Sequence, residues 1–173
     1  MESSEVKKKE RRMYVLKGDV YCVEIDNTHK RYFQYVAKDG SQLSSIVIRV
    51  FKKKYRIDEE IDLEDILNGE VDFFAHTYLI KLGIEEKYWY KVGRSKNLGD
   101  VDNIYFKMNW DFTTKGLKVS HDWYIWKIND KRIDIGDMSD IYKNYNIGYI
   151  FSPYSIYYRI VNGKWQSKKC YVK

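Results

Sequence analysis

Residues 13–55, MYVLKGDVYCVEIDNTHKRYFQYVAKDGSQLSSIVIRVFKKKY, constrain the fold more than any other stretch of the chain. Apolar and polar residues alternate here with a period of two, interrupted by turn chemistry, which is the pattern of successive β-strands. Gly18-Asp19 breaks the chain, and residues 20–25 follow as a first strand. Tyr21, Val23 and Ile25 point one way, and Val20, Cys22 and Glu24 the other. Asp26-Asn27-Thr28-His29 is a polar connection, and residues 31–38 form a second strand whose aromatics suit a pleated, half-buried surface. Lys38-Asp39-Gly40-Ser41 carries an Asp-Gly pair and predicts a tight hairpin. Residues 45–51 are the third strand, with Ile46, Ile48 and Val50 on one face. An antiparallel meander is the simplest arrangement, and the basic run Lys52-Lys53-Lys54 is its solvated edge.

Downstream, an acidic segment precedes a short helix over residues 63–68. Asp62 is its N-cap, Glu64 and Asp65 suit the positive helix start, and Gly69 lies just past the end. Residues 71–82 read as a strand, Gly83 as a turn, and residues 87–92 as a strand pairing back. Further strands are expected over residues 104–110 and 117–119, then a hairpin of 123–128 with 131–135 through Asn129-Asp130. Residues 137–145 suggest one or two helical turns, and residues 148–153 an irregular segment or a short edge strand. Residues 155–161 and 164–167 read as the clearest hairpin, joined by Asn162-Gly163. The fold class that follows is α+β and β-rich: a bent antiparallel sheet or small barrel built from hairpins, with one or two short helices. The expected organisation is a charged N-terminal tail over residues 1–12 and a single globular domain over residues 13–173.

At 173 residues the chain is long enough for one domain with a real core, and 44% hydrophobic content excludes a disordered chain. The net charge of +6 would suggest a nucleic-acid partner, but its placement weakens that reading. Residues 1–17 carry +3 and residues 164–173 carry +4, so the body between them is near −1. Cys22 and Cys170 have no metal-ligand spacing and read as two unpaired thiols, with a disulfide between them as the alternative. The first residues are charged and lack the apolar run of a signal peptide, and no stretch is apolar for long enough to span a bilayer. A cytoplasmic location is expected.

No local signature names a reaction. His29, His76 and His121 are 47 and 45 residues apart, without the close ligand pair usual in zinc sites. The nucleophile-elbow and phosphate-loop motifs are missing, and no cofactor or metal is expected. Residues 93–99 form a cationic connection whose backbone donors are a candidate anion cradle, although a solvated loop explains them as well. The acidic cluster Asp58, Glu59, Glu60, Asp62, Glu64 and Asp65 serves helix capping and solvation in part. Its functional reading is a face that steers a basic protein partner. Tyr142, Tyr145, Tyr149, Tyr154, Tyr157 and Tyr158 cluster in sequence and are a second candidate for protein recognition.

The segment Lys17-Gly18-Asp19-Val20-Tyr21-Cys22-Val23-Glu24-Ile25, followed by Tyr32-Phe33-Gln34-Tyr35-Val36, resembles the start of the immunity protein 26 family. These are small bacterial proteins found beside polymorphic toxins. The likeness covers roughly residues 17–51 and transfers no binding residue, because Gly18-Asp19 is turn chemistry that launches a strand. It implies a non-enzymatic protein that binds and neutralises a cognate toxin in the bacterial cytoplasm. Within that reading, Asp58, Glu59, Glu60, Asp62, Glu64 and Asp65 are the expected contact with a basic patch on the toxin. The alternative is a nucleic-acid-binding β-barrel that uses Lys52-Lys53-Lys54 and the basic ends. An enzyme whose site is assembled from distant residues is the third and weakest reading.

Overall fold

A computed structural model describes residues 14–166. The N-terminal tail expected over residues 1–12 and Cys170 both lie outside these residues. Ten strands form two open sheets, joined by three short α-helices and one 3₁₀ turn. The β-rich α+β expectation holds in its bent-sheet form, and neither sheet closes into a barrel.

The first sheet is built from β1 (Asp19–Glu24), β2 (His29–Asp39), β3 (Ser45–Phe51), β4 (Tyr55–Arg56), β5 (Val71–Thr77) and β6 (Tyr90–Arg94). Its strand order is β5-β3-β2-β1-β6, with β4 paired on β2. The meander β1-β2-β3 is antiparallel throughout, as the alternation implies. The second sheet contains β7 (Tyr105–Asn109), β8 (Trp123–Lys127), β9 (Ile133–Gly136) and β10 (Asn146–Ile147), in the order β10-β7-β8-β9. Helix α1 is Leu63–Leu67, α2 is Ile80–Glu85 and α3 is Pro153–Asn162, and the 3₁₀ turn is Asp140–Tyr142.

Both faces of the central strands β1, β2 and β3 are buried, which corrects the half-buried expectation, while the edge strand β6 stays largely exposed. Tyr21, Val23, Phe33, Ile48 and Val50 pack on one face against Ile80, Trp89, Ile156 and Ile160. On the opposite face, Val36 and Val47 meet Phe106, Tyr124 and Trp126 of the second sheet. Val20, Cys22, Tyr32, Phe51 and Tyr55 of that same face meet Ile66 and Leu67 of α1. Alternation therefore sorts side chains between two cores. Helix α1 forms where its caps predict: the Asp62 side chain accepts from the Glu64 backbone N–H, and Asn68 closes the end.

Several expected strands are overturned. Residues 155–161 and 164–167 do not make a hairpin; residues 153–162 are the helix α3. The Ser152 hydroxyl accepts from the Ser155 N–H, Pro153 occupies the first turn, and Gly163 ends the helix at φ +72°. An Asn-Gly pair suits a hairpin turn and a left-handed helix cap equally well; Ser-Pro upstream decides for the helix. Ile156 and Ile160, one turn apart, bury against the first sheet. The strand expected over residues 71–82 stops at Thr77, and residues 117–119 form no strand. Helix α2 takes the remainder of the former, and β6 pairs with β1 and not with β5.

Gly83 lies inside α2, where its missing side chain makes room for the Trp89 ring. A Cβ at this position would sit 1.9 Å from Trp89 Cζ2. Trp89 is buried, donates through Nε1 to the Ile80 carbonyl at 2.9 Å, and meets the Phe33 ring edge-on at 5.1 Å. Helix propensity alone would make Gly83→Ala stabilising by about 1 kcal/mol. The close approach reverses the sign: we expect a loss of roughly 1–3 kcal/mol or more in urea denaturation. A stabilised Gly83→Ala variant would contradict this packing.

Candidate binding surface

The six carboxylates expected to contact a partner are all exposed and lie on one segment, residues 58–65, which runs from just after β4 into the first turn of α1. The segment is fastened at both ends. At its start, Lys30 Nζ donates to the Ile57 and Glu59 carbonyls at 2.9 and 2.7 Å. Arg56 grips Asp58 in a two-pronged ion pair, Nε to Oδ1 and Nη2 to Oδ2, both at 2.9 Å. That fork holds the Asp58 carboxyl below the usual carboxylate range. The Arg56 backbone N–H donates to Glu59 Oε2 at 3.2 Å. At the other end Asp62 caps α1, and Glu64 accepts from Ser95 Oγ at 3.0 Å and Asn97 Nδ2 at 3.3 Å.

Four of the six carboxylates therefore hold the segment's own shape. Glu60 and Asp65 are exposed and make no ion pair or side-chain hydrogen bond among the described residues. The six outnumber Arg56 and Lys30, the cations that reach the segment, by four, so the ledge is acidic and pre-shaped. The connection at residues 93–99 does meet an anion, but the anion is Glu64 of this chain, held by side chains of the loop.

The basic run beside the ledge is partly occupied. Lys52 pairs with Glu70 at 2.8 Å, and Lys53 Nζ lies 4.5 Å from the centre of the Tyr55 ring. The three histidines lie apart, each against a carboxylate: His29 on Asp26, His76 on Asp39 and His121 on Asp137. Cys22 is a buried thiol, with its pKa raised by burial. Of the clustered tyrosines, Tyr149 and Tyr154 are exposed, while Tyr142, Tyr145, Tyr157 and Tyr158 are half-buried against neighbouring rings.

One cluster was not legible in the sequence. Asp39 was expected to be a turn residue, but it is fully buried and gathers donors from three elements. Its Oδ2 accepts from His76 Nε2 at 3.0 Å and from Trp126 Nε1 at 2.9 Å. Its Oδ1 accepts from the Ser41 hydroxyl at 3.0 Å and the Ser41 backbone N–H at 3.2 Å. The connection after it is five residues long, with Ser44 rather than Gly40 at positive φ, +47°. Burial alone raises the Asp39 carboxyl, but the bonds from His76, Trp126 and Ser41 outweigh it and hold the group well below the usual range.

No family model, curated protein or solved structure matches the chain. The resemblance to the immunity protein 26 family accordingly stands on the strand and turn residues of positions 17–51 alone. Among the described residues, no helix is long and apolar enough to cross a membrane.

The Asp39 cluster sets an acid dependence. A carboxyl depressed on folding contributes stability that is complete above its unfolded value, about pH 4, and is lost as pH falls through the lower folded value. Asp39→Ala strands two buried N–H donors and is expected to cost about 3–5 kcal/mol at neutral pH. Its stability should also fall less steeply below about pH 4 than that of the parent. Urea titrations across pH read both effects; an unchanged acid limb would remove Asp39 from this role.

Proposed function

We propose that this chain is a non-enzymatic binding protein of the immunity type, which occupies and neutralises a cognate bacterial toxin in the cytoplasm. The observation that carries this reading is the acidic ledge at residues 58–65, whose six carboxylates are all exposed and whose shape is held by its own bonds. A pre-shaped charged surface loses little conformational freedom on binding and steers a basic partner toward it. The carboxylate–histidine pair that would first suggest catalysis, Asp39 with His76, is closed to any substrate, both side chains being 0% exposed. The family resemblance of residues 17–51 supplies the kind of partner.

Co-expression with the polypeptide encoded beside this chain tests the proposal. Growth is expected to be restored in cells that otherwise die from that polypeptide. A folded chain that leaves a lethal neighbour lethal overturns the immunity reading.

The double variant Glu60→Lys/Asp65→Lys addresses the ledge itself, because neither side chain makes an ion pair or hydrogen bond among the described residues, and circular dichroism checks that α1 survives the loss of Asp65 from its first turn. It should slow association with the isolated toxin by roughly tenfold at low salt and change dissociation little. An unchanged association rate would move the contact elsewhere.

The nucleic-acid reading keeps one supporting observation: Lys52, Lys53 and Lys54 are exposed at a single connection. The adjacent carboxylates and the Lys52–Glu70 pair work against phosphate there. Salt-sensitive retention on heparin would favour it, and absence of retention at low salt would remove it.

A further inference from the structure

A second surface is built quite differently from the ledge. A cleft of about 810 Å³ opens between β5, the β7–β10 edge of the second sheet, and α3. It lies along a seam where the Asn146 side chain bridges β5 and β7. Asn146 accepts from the Phe74 N–H at 2.9 Å and donates to the Tyr105 carbonyl at 3.1 Å. Five aromatic residues, Phe73, Phe74, Trp123, Tyr145 and Trp165, line the walls, with Ile147. Two of these rings are backed by stacked neighbours, Tyr145 on Tyr105 at 4.9 Å and Trp165 on Phe151 at 3.7 Å. Ring planes held in this way are preformed walls for a flat group.

The charged groups in the cleft are unbalanced. Lys107, Lys143 and Arg159 line it, against the single carboxylate of Asp72. Asp72 is already shared, since Oδ2 pairs with the buried Arg31 at 2.7 Å and Oδ1 with Arg159 at 3.6 Å. Two guanidinium groups thus share one carboxylate, with Arg159 the more distant of the two. Arg159 also lies over the Phe73 ring, 4.8 Å from its centre. Lys143 pairs with Asp140 at 2.5 Å, outside the cleft lining. Lys107 has no carboxylate partner among the described residues; Nζ donates only to the Lys143 carbonyl. Burial and the neighbouring Lys143 lower the Lys107 pKa, so an anion brought beside it would restore a charge that the site disfavours.

A mostly apolar cleft of this size, with a few converging polar groups, is the usual form of a small-molecule site. We propose that it binds a small ligand combining a planar aromatic ring with an anionic group, the ring lying between the aromatic walls and the anion reaching Lys107 and Arg159. The anion could be a carboxylate, sulfonate or phosphate, since the cations present do not distinguish among them. The site shares no residue with the acidic ledge, so the two proposals stand or fall separately.

The test uses the full chain and two dyes of the same ring system: anilinonaphthalene sulfonate, which is anionic, and the uncharged phenylnaphthylamine. Fluorescence titration should show saturable one-site binding of the sulfonate, at least tenfold tighter than that of the uncharged dye. Binding should shift the indole N–H resonances of Trp123 and Trp165. Lys107→Met is expected to weaken the sulfonate about tenfold and leave the uncharged dye unchanged. Because Lys107 is partly buried, the exposed Lys143→Gln provides a second variant that keeps the fold, with an expected loss of two- to threefold. Equal affinity for the two dyes, sulfonate binding unaffected by both substitutions, or no saturable binding overturns the proposal.

Discussion

The Asp39 carboxylate ties the two sheets together. One oxygen accepts from His76 on β5 and from Trp126 on β8, so strands from both sheets converge on a single buried charge. A carboxylate taken out of water is tolerated only where hydrogen bonds replace its hydration, and Asp39 has them on both oxygens. The rings that deliver two of those bonds are themselves packed. Phe106 lies 4.1 Å from His76 and 5.4 Å from Trp126. The core between the sheets is therefore organised around a polar centre, and its geometry follows from where that centre can be satisfied.

Burial on both faces of the central strands follows from this arrangement. The second sheet covers one part of a face, and α1 covers the rest of it. Helices α2 and α3 with Trp89 cover the other face. A sheet whose central strands are enclosed in this way places its functional surfaces at its periphery. The acidic ledge lies at the β4–α1 end, and the aromatic cleft lies along the β5–β10 seam. Buried charged groups such as Arg31 and Arg49 serve the interior: Arg31 bonds the Phe51 and Ile160 carbonyls, and Arg49 bonds Gln34 and the Asn97 carbonyl.

The two peripheral surfaces differ in the chemistry they favour. The ledge is convex in charge terms, with six carboxylates on a short exposed segment, and suits a large partner approached through a long-range field. The cleft is concave and aromatic, with its cations close to the walls, and suits a small ligand that is desolvated on entry. Neither surface depends on the Asp39 centre chemically, but the cleft lies on a seam that this centre helps to close. Beside the Asp39 tie, Asn146, the residue 150–151 contacts and the bonds of residues 40–42 to Asn129 and Asp130 hold the two sheets together.

The sequence alone determined the strands and turns that rest on neighbouring residues. The meander of β1, β2 and β3 follows from alternation, and the β8–β9 hairpin from Asn129-Asp130. Helix α1 follows from Asp62, a polar side chain that meets a backbone N–H two residues away. The acidic character of residues 58–65 was legible for the same reason, since charge needs no partner to be counted. Tertiary structure decided the rest. Helices α2 and α3 were hidden because Tyr78-Ile80-Leu82 and Ile156-Tyr158-Ile160 satisfy a period of two as well as a helical face. The choice between them depended on Trp89 filling the space above Gly83 and on the core that receives Ile156. Asp39 met the same limit: its partners His76 and Trp126 are 37 and 87 residues away, beyond any local pattern. The cleft is more distant still, assembled from β5, β7, β10 and α3, which only the packing of two sheets and a helix brings together.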